Sequence, residues 1–175
     1  MITLRKLNPN ELTLAGEIDV SEEGNALYQC VDGRLNLIQQ SWQRADWSAH
    51  TWQENLDDWQ FLGFDEILGA FHDKTFVGMA ILGYDKTATT AQLVSIHVSR
   101  PYQRQGIGGQ LIEQLIELAR QKEKKQLYVW ATNSQSAVDF YLKHGFQPIQ
   151  TGHVFYEEVE DDIPMLKILS SESSQ

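Results

Sequence analysis

From Ile107 onward, apolar side chains at Ile107, Leu111, Ile112, Leu115, Ile116 and Leu118 recur at the three-and-four spacing of an amphipathic helix, with Glu113, Gln114, Glu117 and Arg120 on its far face. The pattern predicts a helix that stops near Glu123. Upstream the runs are shorter and richer in β-formers. Ile67–His72, Phe76–Tyr84 and Ala91–Val98 read as consecutive antiparallel strands, the first pair joined by Asp73-Lys74 and the second by a Thr-rich connection. Downstream, Gln126–Thr132 reads as a buried strand and Ser134–His144 as a second helix closed by Gly145. Phe146–Ile149 and Ile163–Leu169 complete the strands. Near the start, Ile2–Leu7 reads as a strand ended by the Asn8-Pro9-Asn10 turn signal. Asn25–Val31 and Arg34–Ile38 flank Asp32-Gly33, a pair that supplies the positive φ angles of a tight hairpin turn. Thr51 and Glu54 have capping-box spacing and predict a helix carrying Leu56, Trp59 and Phe61.

A chain of 175 residues is of one-domain size, and the reading is a single domain over 1–169 followed by a polar tail, 170–175. No stretch reaches the roughly 18 apolar residues of a membrane span. The opening MITLRKLNPNE lacks the apolar core of a secretory signal, so the expectation is a cytoplasmic protein with no membrane partner. Cys30 is the one cysteine, which excludes an internal disulfide, and the five histidines show no ligand spacing, so no metal is expected. Net charge is −10, with −8 in residues 1–80 and −2 in residues 81–175. That balance repels nucleic acid and favours cationic molecules. Four of the five tryptophans, Trp42, Trp47, Trp52 and Trp59, fall in the acidic half beside Asp46, Asp57 and Asp58, a mixture suited to an ammonium-bearing ligand or to a packed wall.

The chemistry concentrates in LVSIHVSRPYQRQGIGGQLIEQL, a strand, a glycine-bearing turn and a helix. Gly106, Gly108 and Gly109 allow close backbone approach, and the free amides at the start of the helix form an anion site, with Arg104 at its rim. A nucleotide P-loop is excluded because Gln110 and Leu111 follow Gly109 where Lys and Ser or Thr are required. A dinucleotide fold fits poorly, since Leu111 stands in place of the third glycine. Gln103-Arg104-Gln105-Gly106-Ile107-Gly108 matches QxxGxG, and Asn133 to Phe146 reads NxxxAxxFYxxxGF at the appropriate distance. In these motifs, about fifty residues from Leu93 to Phe146, the chain resembles the GNAT family of N-acetyltransferases. GAFHDKTFVGMAIL and the hairpin look like the streptothricin acetyltransferase branch.

The resemblance implies an α/β acyl-CoA N-acyltransferase fold, a mixed, mainly antiparallel sheet of six or seven strands with a central V-shaped split and flanking helices. It implies acetyl-CoA as cosubstrate. Its pantetheine arm would lie in the split against Ile96 and the backbone of His97 and Val98. Its pyrophosphate would be received by the amides of Gln105, Gly106, Ile107, Gly108 and Gly109, with Gln103 and Arg104 also among the cofactor-binding residues. Asn133 and Ser136 would touch the cofactor farther along. Tyr141 matches the family's tyrosine that protonates the departing thiolate, and a phenol of ordinary pKa about 10 carries that proton at neutral pH. The amide of Val98 is the simplest donor to the carbonyl oxygen as charge develops there. For the general base, His97, Ser95, Glu66 and a water leading to solvent remain open, and the ring of His97 faces either side of its strand. The expected partner is a small cationic amine, with a protein amino terminus or lysine and a non-catalytic acetyl-CoA sensor as the other readings, in a monomer or homodimer.

Overall fold

The computed structural model describes residues 1–157 and 160–169; the polar tail at 170–175 lies outside the described residues. The strands are β1 (Ile2–Lys6), β2 (Glu22–Val31), β3 (Arg34–Arg44), β4 (Glu66–His72), β5 (Thr75–Gly83), β6 (Thr90–Val98), β7 (Gln126–Ala131), β8 (Gln147–Pro148) and β9 (Ile163–Ile168). The helices are α1 (Ala49–Gln60), α2 (Ile107–Gln121) and α3 (Gln135–Lys143). Seven strands form one sheet in the order β1-β4-β5-β6-β7-β9-β8, and β2 and β3 form a separate two-stranded sheet. Only β6 and β7 pair parallel in the connected centre of the main sheet, across the α2 crossover. The remaining named pairs are antiparallel. No helix among the described residues is long and apolar enough to cross a membrane.

Helix α2 forms as its spacing predicts, burying Ile107, Leu111, Ile112, Leu115, Ile116 and Ala119. These pack on Leu68, Val77, Ala80, Leu82 and Leu93 of the sheet, in the cluster that also takes Val138 and Tyr141 from α3. Two N-terminal details depart from expectation. The Asn8-Pro9-Asn10 signal opens a 3-10 helix, Pro9–Glu17, rather than a simple turn, with the Glu11 carboxylate accepting from the Asn8 amide at 2.9 Å. Helix α1 is capped by Ser48, whose side chain accepts from the Thr51 amide, three residues before the cap expected at Thr51. The reason lies in its flanks. With Ser48 as cap, Trp47 precedes the helix and Trp52 is its fourth residue, so the two indoles meet edge to face at 4.8 Å as a hydrophobic staple.

The hairpin turn has φ +49 at Asp32 and +75 at Gly33, the two left-handed positions that Asp-Gly predicts, but β3 runs on to Arg44, beyond the expected end at Ile38. The hairpin docks on the end of β7. Tyr28 donates its amide to the Asn133 carbonyl at 2.7 Å and its hydroxyl to Asp139 at 2.7 Å, and Ser136 donates to Glu22.

A single-residue irregularity decides which way β6 presents its side chains. Ile81 pairs with Ser95 but Leu82 with Leu93, so Val94 is an extra residue in β6. Before the bulge Leu93 faces the α2 cluster; after it Ile96 and Val98 do, which turns His97 to the opposite layer. There the imidazole meets Trp47, Trp52 and Trp59 at 5.3, 5.5 and 5.7 Å. Loss of hydration among these rings, with a smaller push from the Arg44 charge, lowers the His97 pKa to about 4.

Two outcomes are expected. Leu115→Ala, at a fully buried position facing the sheet, lowers unfolding free energy by about 2–5 kcal/mol in urea titrations. Because folding depresses the His97 pKa, the unfolded chain binds the extra proton first. Stability from this group is therefore complete above pH 6.5 and is lost as pH falls toward 4. His97→Gln flattens the urea midpoint across that window; an unaltered pH slope refutes the burial account.

Candidate functional site

Strands β6 and β7 pair over three rungs only, Thr90 with Gln126, Ala91 with Leu127 and Gln92 with Tyr128. Beyond Gln92, β6 continues to Val98 and β7 to Ala131 with no rung between them. The slot is thus a V with its apex near Leu93. On its other side β6 remains paired with β5, Gly78 opposite Val98 and Met79 opposite His97, and Ser99 donates its amide to the Val77 carbonyl at 2.8 Å. In an antiparallel ladder such bonds alternate, so the bond at Ser99 makes Val98 a residue whose NH and carbonyl point away from β5. Ile96 and Val98 therefore offer backbone groups to the slot, while those of His97 serve β5. This replaces the expected backbone role of His97. The Val98 carbonyl receives the Gln103 side-chain amide at 3.0 Å, leaving the Val98 NH toward the slot.

Above the slot, the chain from Ser99 to Gly106 wraps into the start of α2. Arg104 and Gly106 both have positive φ, +59 and +82, and flank Gln105. Alternation of this kind makes successive amides converge on a concave nest, and the first turn of α2 continues it with the positive end of a helix dipole. Among the described residues, no protein acceptor is bonded to the amides of residues 104 to 109. An unpaired row of amides is what a diphosphate requires.

The three glycines divide by role. A Cβ on Gly106 would meet nothing within 4 Å, so its face is open and its φ of +82 needs glycine. A Cβ on Gly108 would meet Phe140 at 3.2 Å, and one on Gly109 would meet the His144 ring at 3.5 Å. Gly108 thus gives α2 its close approach to α3, a side chain at Gly109 would make ordinary contact, and Gly106 alone of the three combines an open face with a positive φ.

Tyr141 lies on α3, 7% exposed, against Phe140 and Phe146. Its hydroxyl has no hydrogen-bond partner among the described residues. Burial first and the Asp162 charge second hold the phenol above its ordinary pKa, so it stays protonated well into the alkaline range. At the mouth of the slot, Asn133 and Ser136 are engaged by the hairpin through the Asn133 carbonyl and the Ser136 hydroxyl.

The candidate bases are not gathered at one point. Glu66 has both oxygens occupied, one by Lys6 at 2.8 Å and one by the Tyr84 hydroxyl at 2.9 Å. His97 is uncharged at neutral pH but too weakly basic to take a proton from an ammonium efficiently. Ser95 is buried and its hydroxyl has no partner among the described residues. The tryptophans form a wall. Trp52 is 3% exposed, Trp42 donates to the Ala26 carbonyl, and Asp46 is committed to the amides of Val20 and Trp47. Sequence reasoning passed over Asp162, because nothing in the local pattern EDDIPM marks which carboxylate the fold half-buries.

The description "Acetyltransferase (GNAT) family" matches residues 34–146, from the start of β3 through the end of α3. Solved structures agree over nearly the whole length. Nourseothricin acetyltransferase superposes with a TM-score of 0.75 at 14% identity, covering 97% of this chain and 99% of the other. A candidate streptothricin acetyltransferase from Bacillus anthracis str. Ames, in complex with acetyl coenzyme A, gives 0.70 at 20% identity, covering 95% and 96%. The ribosomal-protein-S18-alanine N-acetyltransferase from Escherichia coli gives 0.63 at 20% identity, covering 99% and 97%. With the split sheet, the unpaired amides and more than half of the chain matched, this protein belongs to the acetyltransferase (GNAT) family and is an acetyl-CoA-dependent acetyltransferase.

Proposed function

We propose that the chain moves the acetyl group of acetyl-CoA directly to a primary amine of a small cationic acceptor, of the antibiotic or polyamine kind, without an acyl-enzyme intermediate. The observation that carries this reading is the slot itself, an unpaired edge of β6 leading from the Leu93 apex to a nest of free amides at residues 104 to 109. A pantetheine arm laid along that edge meets the Ile96 and Val98 backbone groups as an added strand would, and the diphosphate meets the nest. The acyl carbonyl then lies among amides that cannot reorient, which favours the charge that builds on its oxygen.

In this reading the neutral amine attacks the carbonyl carbon, a C–N bond forms, and the C–S bond breaks with its electron pair passing to sulfur. Tyr141 supplies the thiolate with a proton. The phenol carries its proton throughout the neutral range, and the same burial that raises its pKa makes it the weaker donor, so the transfer relies on its placement beside the sulfur. The small cationic acceptor is supported by the chain's net charge of −10 and by the fold shared with proteins described as nourseothricin and streptothricin acetyltransferases. The direct route is supported by the position of Cys30, half-buried on the hairpin rather than in the slot.

Thiol release from acetyl-CoA across an amine panel that includes a streptothricin, spermine and a peptide with a free amino terminus tests the acceptor class. Turnover with the cationic small molecules is expected; turnover confined to the peptide overturns it. Tyr141→Phe lowers kcat by about 10²-fold or more while the acetyl-CoA Kd stays within about threefold, the size expected of a lost general acid. Gly106→Val raises that Kd at least about tenfold in calorimetric titration, since its side chain would occupy the open face of the nest and force a strained φ. Wild-type affinity in this variant removes the diphosphate from the nest.

A further inference from the structure

Lys86, in the loop between β5 and β6, does not extend into solvent as surface lysines do. Its side chain is 18% exposed, its ammonium pairs with Glu157 at 2.9 Å, and it lies 4.8 Å from the Tyr128 ring centroid and 5.9 Å from that of Trp130. A lysine ammonium is strongly hydrated, and it gives up water for such a seat only where rings and a carboxylate replace the lost contacts. Among the described residues, no other lysine stands over a ring of β7.

The position of that seat ties it to the slot. Tyr128 pairs with Gln92 on the last rung that joins β6 to β7, and Trp130 is two residues farther along the arm of β7 that lies free of β6. Side chains alternate along a strand, and Leu127, Val129 and Ala131 enter the cluster beneath α2, so Tyr128 and Trp130 face the opposite layer. The Lys86 nitrogen therefore stands over the apex of the V, on the face away from α2. Tyr141 belongs to the α2 cluster and lies on the other face. An acyl chain running down the slot from the amide nest directs its thioester end at the apex. The amine and the phenol then approach that end from opposite faces, and neither blocks the other.

Resting on the amine-transfer reading above, we propose that Lys86 is itself an acceptor, so that the chain acetylates its own side chain at this nitrogen when no competing amine is bound. The Lys86 ammonium leaves Glu157 and loses one proton to water. Its nitrogen bonds to the acyl carbon, the C–S bond breaks with the electron pair passing to sulfur, and Tyr141 gives the thiolate a proton. The second nitrogen proton restores the phenol. The sum is lysine ammonium plus thioester giving Nε-acetyl-lysine, thiol and one proton. The amide so formed carries no charge, so the product loses both the ion pair to Glu157 and the attraction to the two rings. The segment that carries Glu157 is then held by fewer contacts. A free amine that reaches the thioester first leaves Lys86 unmodified.

The test incubates the full chain with acetyl-CoA carrying an isotopically labelled acetyl group and follows each lysine by peptide mass spectrometry. Label is expected at Lys86 at a rate at least about tenfold above that at the exposed Lys74 and Lys125, which report uncatalysed acetylation. With acetyl-CoA kept saturating, the half-time at Lys86 stays constant over an about 100-fold dilution of the chain, as transfer within one molecule requires. Gly106→Val, whose nest is blocked, brings the Lys86 label down to the surface level. Lys86→Arg carries no label at that position and keeps acetyl-CoA affinity within about twofold in calorimetry, which shows that the variant is folded. Label at Lys86 no faster than at the surface lysines, label undiminished in Gly106→Val, or a half-time that lengthens on dilution overturns the assignment, while thiol release with the amine panel leaves the amine-transfer reading in place. Silence at Lys86 and with every amine, despite bound acetyl-CoA, takes down that reading and this one with it.

Discussion

The architecture depends on a pairing that stops. Three rungs join β6 to β7, enough to make one sheet of seven strands, and then the parallel ladder ends with hydrogen-bonding groups of β6 facing open space. A buried strand edge without partners is costly, and a fold keeps one only where something else completes it. The glycine turn and the dipole of α2 stand at the open end of that edge, so a single extended ligand with an anionic end satisfies both. The bulge at Val94 belongs to the same constraint, because it sits just above the apex and sets which residues present amides to the slot.

The hairpin is the second element tied to the slot. Its strand β2 reaches from the Arg100 side, where Glu23 pairs with that guanidinium at 2.9 Å, to Asn133 and Asp139 at the start of α3. It therefore spans the open V from one arm to the other. By doing so it borders a cavity lined by acidic side chains on one side and steadies the slot mouth on the other.

Much of this was legible in the sequence, for stated reasons. The helix α2 and the glycine turn announce themselves because their signals are local, an apolar spacing in one case and residues that alone tolerate φ above zero in the other. The Asp32-Gly33 turn was legible for the same reason. What stayed hidden depends on one-residue shifts or distant partners. His97 could face either layer until the extra residue at Val94 set the phase. The α1 cap lies at Ser48 because Trp47 and Trp52 staple there, which spacing between Thr51 and Glu54 does not reveal. Of the two readings the tryptophan-rich segment allowed, an ammonium-binding surface or a packed wall, Trp47, Trp52 and Trp59 form the wall, closed around the His97 imidazole. The carboxylates that line the cavity beside the hairpin are Asp32 and Glu157, Glu160, Asp161 and Asp162, separated by most of the chain.

The central claim is that backbone amides, more than any charged side chain, hold the cofactor. Amide NMR shifts recorded while acetyl-CoA is added report on it most directly. The account requires the largest changes at Ile96, Val98 and Gln105 through Gly109, together with slowed hydrogen exchange at those positions. Tight binding that leaves these amides unmoved, with the changes elsewhere on the fold, would contradict it.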